Sequence, residues 1–234
     1  MPVLYLLPGL LCDERVWVHQ QEHLGDLVET RVPNFRHCDS LDAMADIVLA
    51  DAPERFYLAG HSMGGRAAMQ VLSKAPERII KLALLDTGIH PAGTSGQEKQ
   101  KRQALIDLAE KEGMAALARQ WGMPMIHADR HDDAALMNTF FGMIESYSLE
   151  SYKGQVKALL DRPDAGPFLS TAPADTLVLC GRQDTWSTPE QHEDIAAALP
   201  DHPQVVIIEN SGHMVTMEQP EAVTRAMRDW LERE

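Results

Sequence analysis

The sequence predicts an α/β fold: a mostly parallel sheet of about six strands flanked by helices, interrupted once by a helical insertion. Three observations carry this. Short apolar runs of strand length, such as residues 3–7, 81–85 and 176–180, lack the apolar/polar alternation of a half-exposed antiparallel strand. Stretches with helical apolar spacing separate them, the order that covers both faces of a parallel sheet. From about residue 89 to residue 172 strands are missing and four helical stretches come in succession.

Residues 3–7 form a buried strand, ended at once by Pro8-Gly9, and a helical stretch at 16–24 leads to a strand at 28–32. Ser40 is placed as the N-cap of a helix to about Ala50, which Pro53 closes. The strand at 55–59 runs directly into Gly60-His61-Ser62-Met63-Gly64 and then a helix to about Lys74, and the strand at 81–85 ends at Asp86. The inserted helices are expected at 97–112, 114–121, 132–146 and 149–160. Alternation resumes with a strand at 176–180, a loop holding Asp184, and a helix from Pro189 where Thr188 and Gln191 match a capping box. The last strand, 205–208, precedes Gly212-His213. Pro220 starts a terminal helix with Val223, Ala226, Met227, Trp230 and Leu231 on one face. The division expected is a core of residues 1–88 and 173–234 with a helical cap of 89–172.

At 234 residues the chain can bury a large core as one domain with this inserted segment. Lys and Arg number 21 against 35 Asp and Glu, a formal charge of −14 that repels phosphate backbones and anionic lipids, so no nucleic-acid or membrane partner is expected. Cys12, Cys38 and Cys180 are odd in number and without C-x-x-C spacing, and read as reduced thiols rather than a disulfide framework or zinc ribbon. The first seven residues carry no basic segment and their apolar run is broken by Pro8, unlike a signal peptide or membrane span; a cytoplasmic location is expected. No internal repeat or low-complexity tract is seen.

The chemistry is concentrated at Ser62. A strand turning into a helix about one residue leaves no room for β-carbons on either side, and Gly60 and Gly64 supply that room. The serine then stands at a helix N-terminus, with the free N–H of Met63 and the helix dipole facing any oxyanion formed. A serine hydroxyl needs a base to become nucleophilic, and the base needs an acid to hold its tautomer. Asp184 and His213 each come just after the end of an expected strand and would share the carboxyl edge of the sheet with Ser62. Asp86, also at a strand end, is the rival acid. His61 is read as a packed neutral side chain rather than a second base. His127, Asp129, His131, Asp132 and Asp133 read as a solvated turn rather than metal ligands, because no helical i, i+4 pair emerges. Lys99, Lys101 and Arg102 read as a solvated face, with a dock for an acidic carrier protein as the alternative. Met114, Met123, Met125, Met137 and Met143 read as core before pocket.

Leu-Leu-Pro-Gly-Leu-Leu at 6–11, Gly-His-Ser-Met-Gly-Gly at 60–65, Leu-Val-Leu-Cys-Gly-Arg-Gln-Asp at 177–184 and Gly-His at 212–213 resemble the α/β-hydrolase fold family, more narrowly its small bacterial esterase-like members with a helical cap. The order Ser62, Asp184, His213 is that family's. The resemblance implies Ser62 as nucleophile, His213 as general base, Asp184 as acid, and the N–H groups of Leu10 and Met63 as oxyanion hole. Pro8 departs from the family's usual histidine before Gly9. The chain also begins at the strand that usually comes after an N-terminal hairpin, so six parallel strands and no antiparallel pair are expected. The resemblance further implies cleavage of a small-molecule carboxylic ester or thioester through an acyl-enzyme, with no cofactor and no metal, by a monomer or homodimer. Lyase or C–C bond chemistry is the alternative, since Ser-Met-Gly-Gly-Arg at 62–66 also resembles the elbow of menaquinone-pathway synthases; a non-catalytic binding protein is the third.

In this architecture the insert roofs the pocket. Trp121, Met123, Met125, Phe140, Phe141 and Met143 are the candidate lining, and they favour an uncharged acyl chain of modest length. Arg162 is the exception. An exposed Arg162 is favoured, whereas an inward-facing guanidinium would select a carboxylate or phosphate.

Overall fold

The first strand, β1 (Val3–Leu7), is almost without exposed surface from Leu4 onward. Strands so covered on both faces need helices above and below, and the chain supplies them in turn. In the computed structural model, which describes residues 1–233, β1 is followed by α1 (Val18–Leu24), β2 (Glu29–Arg31), α2 (Leu41–Asp51), β3 (Phe56–His61), α3 (Met63–Lys74) and β4 (Ile79–Leu85). Then come α4 (Gln97–Glu112), α5 (Met114–Leu117), α6 (Ala134–Glu145), α7 (Leu149–Leu160) and α8 (Gly166–Leu169), with no strand among them. The chain closes with β5 (Leu177–Gly181), α9 (Pro189–Ala198), β6 (Val206–Ile208), α10 (Val215–Glu218) and α11 (Pro220–Glu232).

The six strands form one sheet in the order β2-β1-β3-β4-β5-β6, every neighbouring pair parallel, as the sequence led us to expect. The register brings the carboxyl ends of the strands level with one another. Leu7 lies opposite Gly60, His61 opposite Leu85, Leu85 opposite Leu179 and Gly181 opposite Ile208. The loops after β1, β3, β4, β5 and β6 therefore emerge along one edge, and they carry Leu10, Ser62, Asp86, Asp184 and His213.

Ser40 caps α2, its hydroxyl accepting the N–H of Ala43 at 3.1 Å. Thr188 stands at the N-cap of α9 but makes no side-chain cap bond, so the expected capping box is not formed. The helix expected at 114–121 breaks after Leu117 into a π turn at Ala118–Gly122. There Gly122 packs so closely on Phe140 and Ile144 that a β-carbon would lie 3.1 Å from either. On the terminal helix Val223, Met227 and Trp230 are fully buried; each such side chain contributes roughly 1.5–3 kcal/mol by leaving water. All three cysteines are free and buried. Among the described residues no helix is long and apolar enough to cross a membrane.

Candidate active site

Ser62 holds φ 55° and ψ −118°, a conformation that side-chain-bearing residues rarely adopt. The glycines around it are sterically obligatory: a β-carbon on Gly60 would lie 2.3 Å from the carbonyl oxygen of Gly64, and one on Gly64 would lie 2.1 Å from that of Leu7. The turn is held on both sides. Ser62 N donates to the carbonyl of Leu85 at 2.9 Å, and Thr87 Oγ1 donates to the carbonyl of Ser62 at 2.8 Å. Strain of this kind persists where surrounding bonds over-determine it.

From Ser62 a hydrogen-bonded relay runs to two loops. Ser62 Oγ lies 2.8 Å from His213 Nε2, and His213 Nδ1 lies 2.7 Å from Asp184 Oδ2. The other oxygen of Asp184 accepts the N–H groups of Trp186 at 2.7 Å and Ser187 at 3.0 Å, which fixes the carboxylate's orientation. Burial alone would pull His213 down; the adjacent charge and hydrogen bond of Asp184 outweigh it and leave the imidazole above its ordinary value. Burial alone would raise Asp184, but the charge of His213 and its hydrogen bond, then the two backbone donors, leave it below the usual carboxylate range.

Asp86 does not join this relay. Its carboxylate is fully buried and accepts the N–H groups of Gly181 at 3.0 Å and Val215 at 3.1 Å, tying β4 to the start of β5's loop and to α10. His61 is also fully buried: its Nε2 donates to the carbonyl of His213 at 2.7 Å and lies 3.5 Å from Asp86 Oδ2.

Two buried side chains that no sequence motif singles out complete the frame. Glu218 at the end of α10 accepts three backbone N–H groups, from His127 at 2.7 Å, Gly212 at 3.0 Å and Met214 at 3.1 Å. It thus grips the loop bearing His213 and the inserted segment together, and Arg130 donates to its carbonyl. Burial holds its carboxyl above the usual range despite these donors. Gln155 on α7 accepts the N–H of Leu11 at 2.9 Å and donates to the carbonyl of Phe35 at 3.1 Å. Leu11 sits at φ 56°, next to Leu10, and Leu10 and Met63 both line the cavity beside Ser62.

That cavity, of about 330 Å³, opens over Ser62 and His213 and is walled on its far side by the helical segment between β4 and β5. Trp121, Met125 and Arg162 line it; Met123, Phe140, Phe141 and Met143 do not. Phe140 and Met143 have no exposed surface, and Met143 Sδ accepts the N–H of Asp13 at 3.4 Å. The apolar stripe of α6 is turned into the packing around Gly122 instead of toward the cavity. Arg162, favoured as exposed, is turned inward with a side chain 10% exposed, held bidentate by Glu98 at 2.7 and 2.8 Å. Arg102 and Lys101, read as a solvated face, also line the cavity. Of the His/Asp cluster at 127–133, Asp133 caps α6 through Leu136 N at 3.1 Å, and His131 Nε2 lies 3.0 Å from the carbonyl of Ile126.

The family model described as "Alpha/beta hydrolase family" matches residues 4–226. The chain is 30% identical over 183 residues to (E)-2-((N-methylformamido)methylene)succinate hydrolase of Acinetobacter baylyi, covering 75% of this chain and 64% of that one. It is 56% identical over 87 residues to a pimeloyl-(acyl-carrier protein) methyl ester esterase of Pectobacterium carotovorum, 34% of either chain. The chain thus spans less than two thirds of these curated relatives. A thermophilic esterase from Thermogutta terrifontis, solved with malate bound, superposes with a TM-score of 0.87 at 27% identity, over 99% of this chain and 89% of that one.

Proposed function

The chain belongs to the alpha/beta hydrolase family, and we propose that it is a serine hydrolase that cleaves a carboxylic ester or thioester through an acyl-enzyme. The observation carrying this reading is the relay of 2.8 Å and 2.7 Å bonds from Ser62 through His213 to Asp184. Ser62 Oγ attacks the acyl carbon while His213 Nε2 takes its proton, and Asp184 stabilises the imidazolium. The negative charge on the former carbonyl oxygen is met by the N–H groups of Leu10 and Met63, the latter at the N-terminus of α3. Collapse of the tetrahedral adduct expels the alcohol or thiol, which takes the proton from His213. Water, deprotonated by the same imidazole, then releases the acid and restores Ser62. Residues 89–172 serve as the cap that shapes the acyl pocket.

A fluorophosphonate probe tests this. We expect labelling at Ser62, none in Ser62→Ala, and turnover of p-nitrophenyl esters by the wild type alone. Labelling without turnover of any ester or thioester would instead favour C–C bond chemistry on the same relay, and absence of labelling would sink the hydrolase reading.

A further inference from the structure

Arg66 stands in the first turn of α3, four residues after Ser62, and its backbone N–H donates to the carbonyl of Ser62 at 3.3 Å. Its guanidinium lines the cavity over Ser62 and donates to the carbonyl of His90 at 3.0 Å. Among the described residues it has no carboxylate partner. The other two cavity arginines are matched: Arg102 and Arg162 both bind Glu98, at 2.8 Å and 2.7 Å. Burial would raise Glu98, but these two guanidinium groups hold it down to about 2, so it stays ionised and committed to them.

The imbalance is local and opposite to that of the whole molecule. Four basic side chains, Arg66, Lys101, Arg102 and Arg162, line this cavity against the single acid Glu98, in a chain whose formal charge is −14. Arg66 is half-buried and forms part of the cavity wall. Burial, then the charge of Arg162, pushes its guanidinium down to about 9, still charged at neutral pH. A guanidinium on the cavity wall with no carboxylate partner is free to meet a counter-charge carried by a ligand. Space is kept beside it: a β-carbon on Gly88 would lie 3.3 Å from Arg66 Nη2 and 3.2 Å from Gln191 Oε1.

We propose that Arg66 anchors a carboxylate carried by the substrate, so that the site takes acyl chains ending in a second carboxylate, such as the half-esters of dicarboxylic acids. This rests on the hydrolase reading and names its substrate class. The planar guanidinium fork matches a carboxylate edge. Leu105, Trp121, Met125 and Leu159, on the walls of the same cavity, suit an alkyl stem between that anchor and the ester at Ser62.

The test compares methanol release from monomethyl glutarate and from methyl pentanoate, esters of equal chain length with and without the terminal carboxylate. The wild type should favour the half-ester at least tenfold in kcat/KM, mostly through KM. In Arg66→Met that ratio should collapse toward one, and Arg66→Lys should recover part of it. Free glutarate should inhibit the wild type, and inorganic phosphate at least tenfold more weakly. Equal use of both esters by the wild type, or a preference that survives Arg66→Met while Ser62 still takes the fluorophosphonate, overturns the anchor and leaves the hydrolase standing. Phosphate inhibiting as strongly as glutarate overturns the carboxylate assignment. No turnover of either ester and no Ser62 labelling sinks both readings.

Discussion

Asp86 and Asp184 leave the carboxyl ends of the neighbouring strands β4 and β5, yet only Asp184 reaches the imidazole of His213, at 2.7 Å, while Asp86 spends both oxygens on backbone N–H groups. The two aspartates should therefore fail differently when neutralised. Asp184→Asn should lower kcat on the order of 10⁴-fold, because the amide no longer holds the productive tautomer, with little change in melting temperature. Asp86→Asn should lose one acceptor facing a buried donor, at about 1–3 kcal/mol of stability, and far less activity. Urea denaturation and ester turnover on both variants check this; the reverse pattern would move the acid to Asp86.

The raised pKa of His213 sets the direction of the pH dependence. An imidazolium cannot accept the proton of Ser62, so kcat/KM should rise with pH through a midpoint above the ordinary imidazole value of about 6.5. Asp184→Asn should move that midpoint down. Stability runs the other way: because the folded pKa is raised, the imidazolium's contribution is complete below the unfolded value and is lost as pH rises through the folded one. A flat rate profile from pH 5 to 8 would contradict the assignment of the base.

Removing Glu218 strips three backbone donors of the carboxylate they share. Glu218→Ala should cost about 3 kcal/mol or more, and the surviving folded enzyme should label at Ser62 more slowly, because the loop carrying His213 is no longer pinned. Glu218→Gln, which keeps one oxygen, should recover most of the stability. Denaturant titration with a labelling time course separates the two effects.

Gln155 reaches across from α7 to set the backbone next to Leu10. Gln155→Leu should free Leu11 and displace the neighbouring donor, with a loss in kcat of about tenfold to a hundredfold and little change in KM. A KM effect alone would mean that Gln155 shapes only the pocket.

Much of this arrangement was legible in the chain because it is set by local necessity. Gly60 and Gly64 declare the turn at Ser62, and the residues just past strand ends declare where Asp184 and His213 emerge. Other parts were not legible. Gln155 acts on Leu11 across 144 positions and Glu218 acts on His127 across 91, and no periodicity marks such pairs. The stripe of α6 announced only burial. Whether Phe140 and Met143 face a cavity or a neighbouring helix is the same signal at 3.6 residues per turn. Arg162 lies in a loop, where the sequence has no period from which to read its direction, and its fate was decided by Glu98, 64 residues earlier.

The bond from His213 N to the carbonyl of Met125, at 2.7 Å, ties the loop that bears the imidazole to the helical segment between β4 and β5. Glu218 holds the N–H groups of His127 and Gly212 alike, so displacing the stretch around Met125 would either break these bonds or carry the His213 loop with it. Under the proposed mechanism, opening at that end would disarm the relay. In the mechanism proposed above, water entering with that stretch displaced would meet an acylated Ser62 without its base. Trp186, 43% exposed, stands edge-on to Trp121 with ring centres 6.4 Å apart on the wall of the same cavity, and entry past its ring would leave the bonds around Met125 intact.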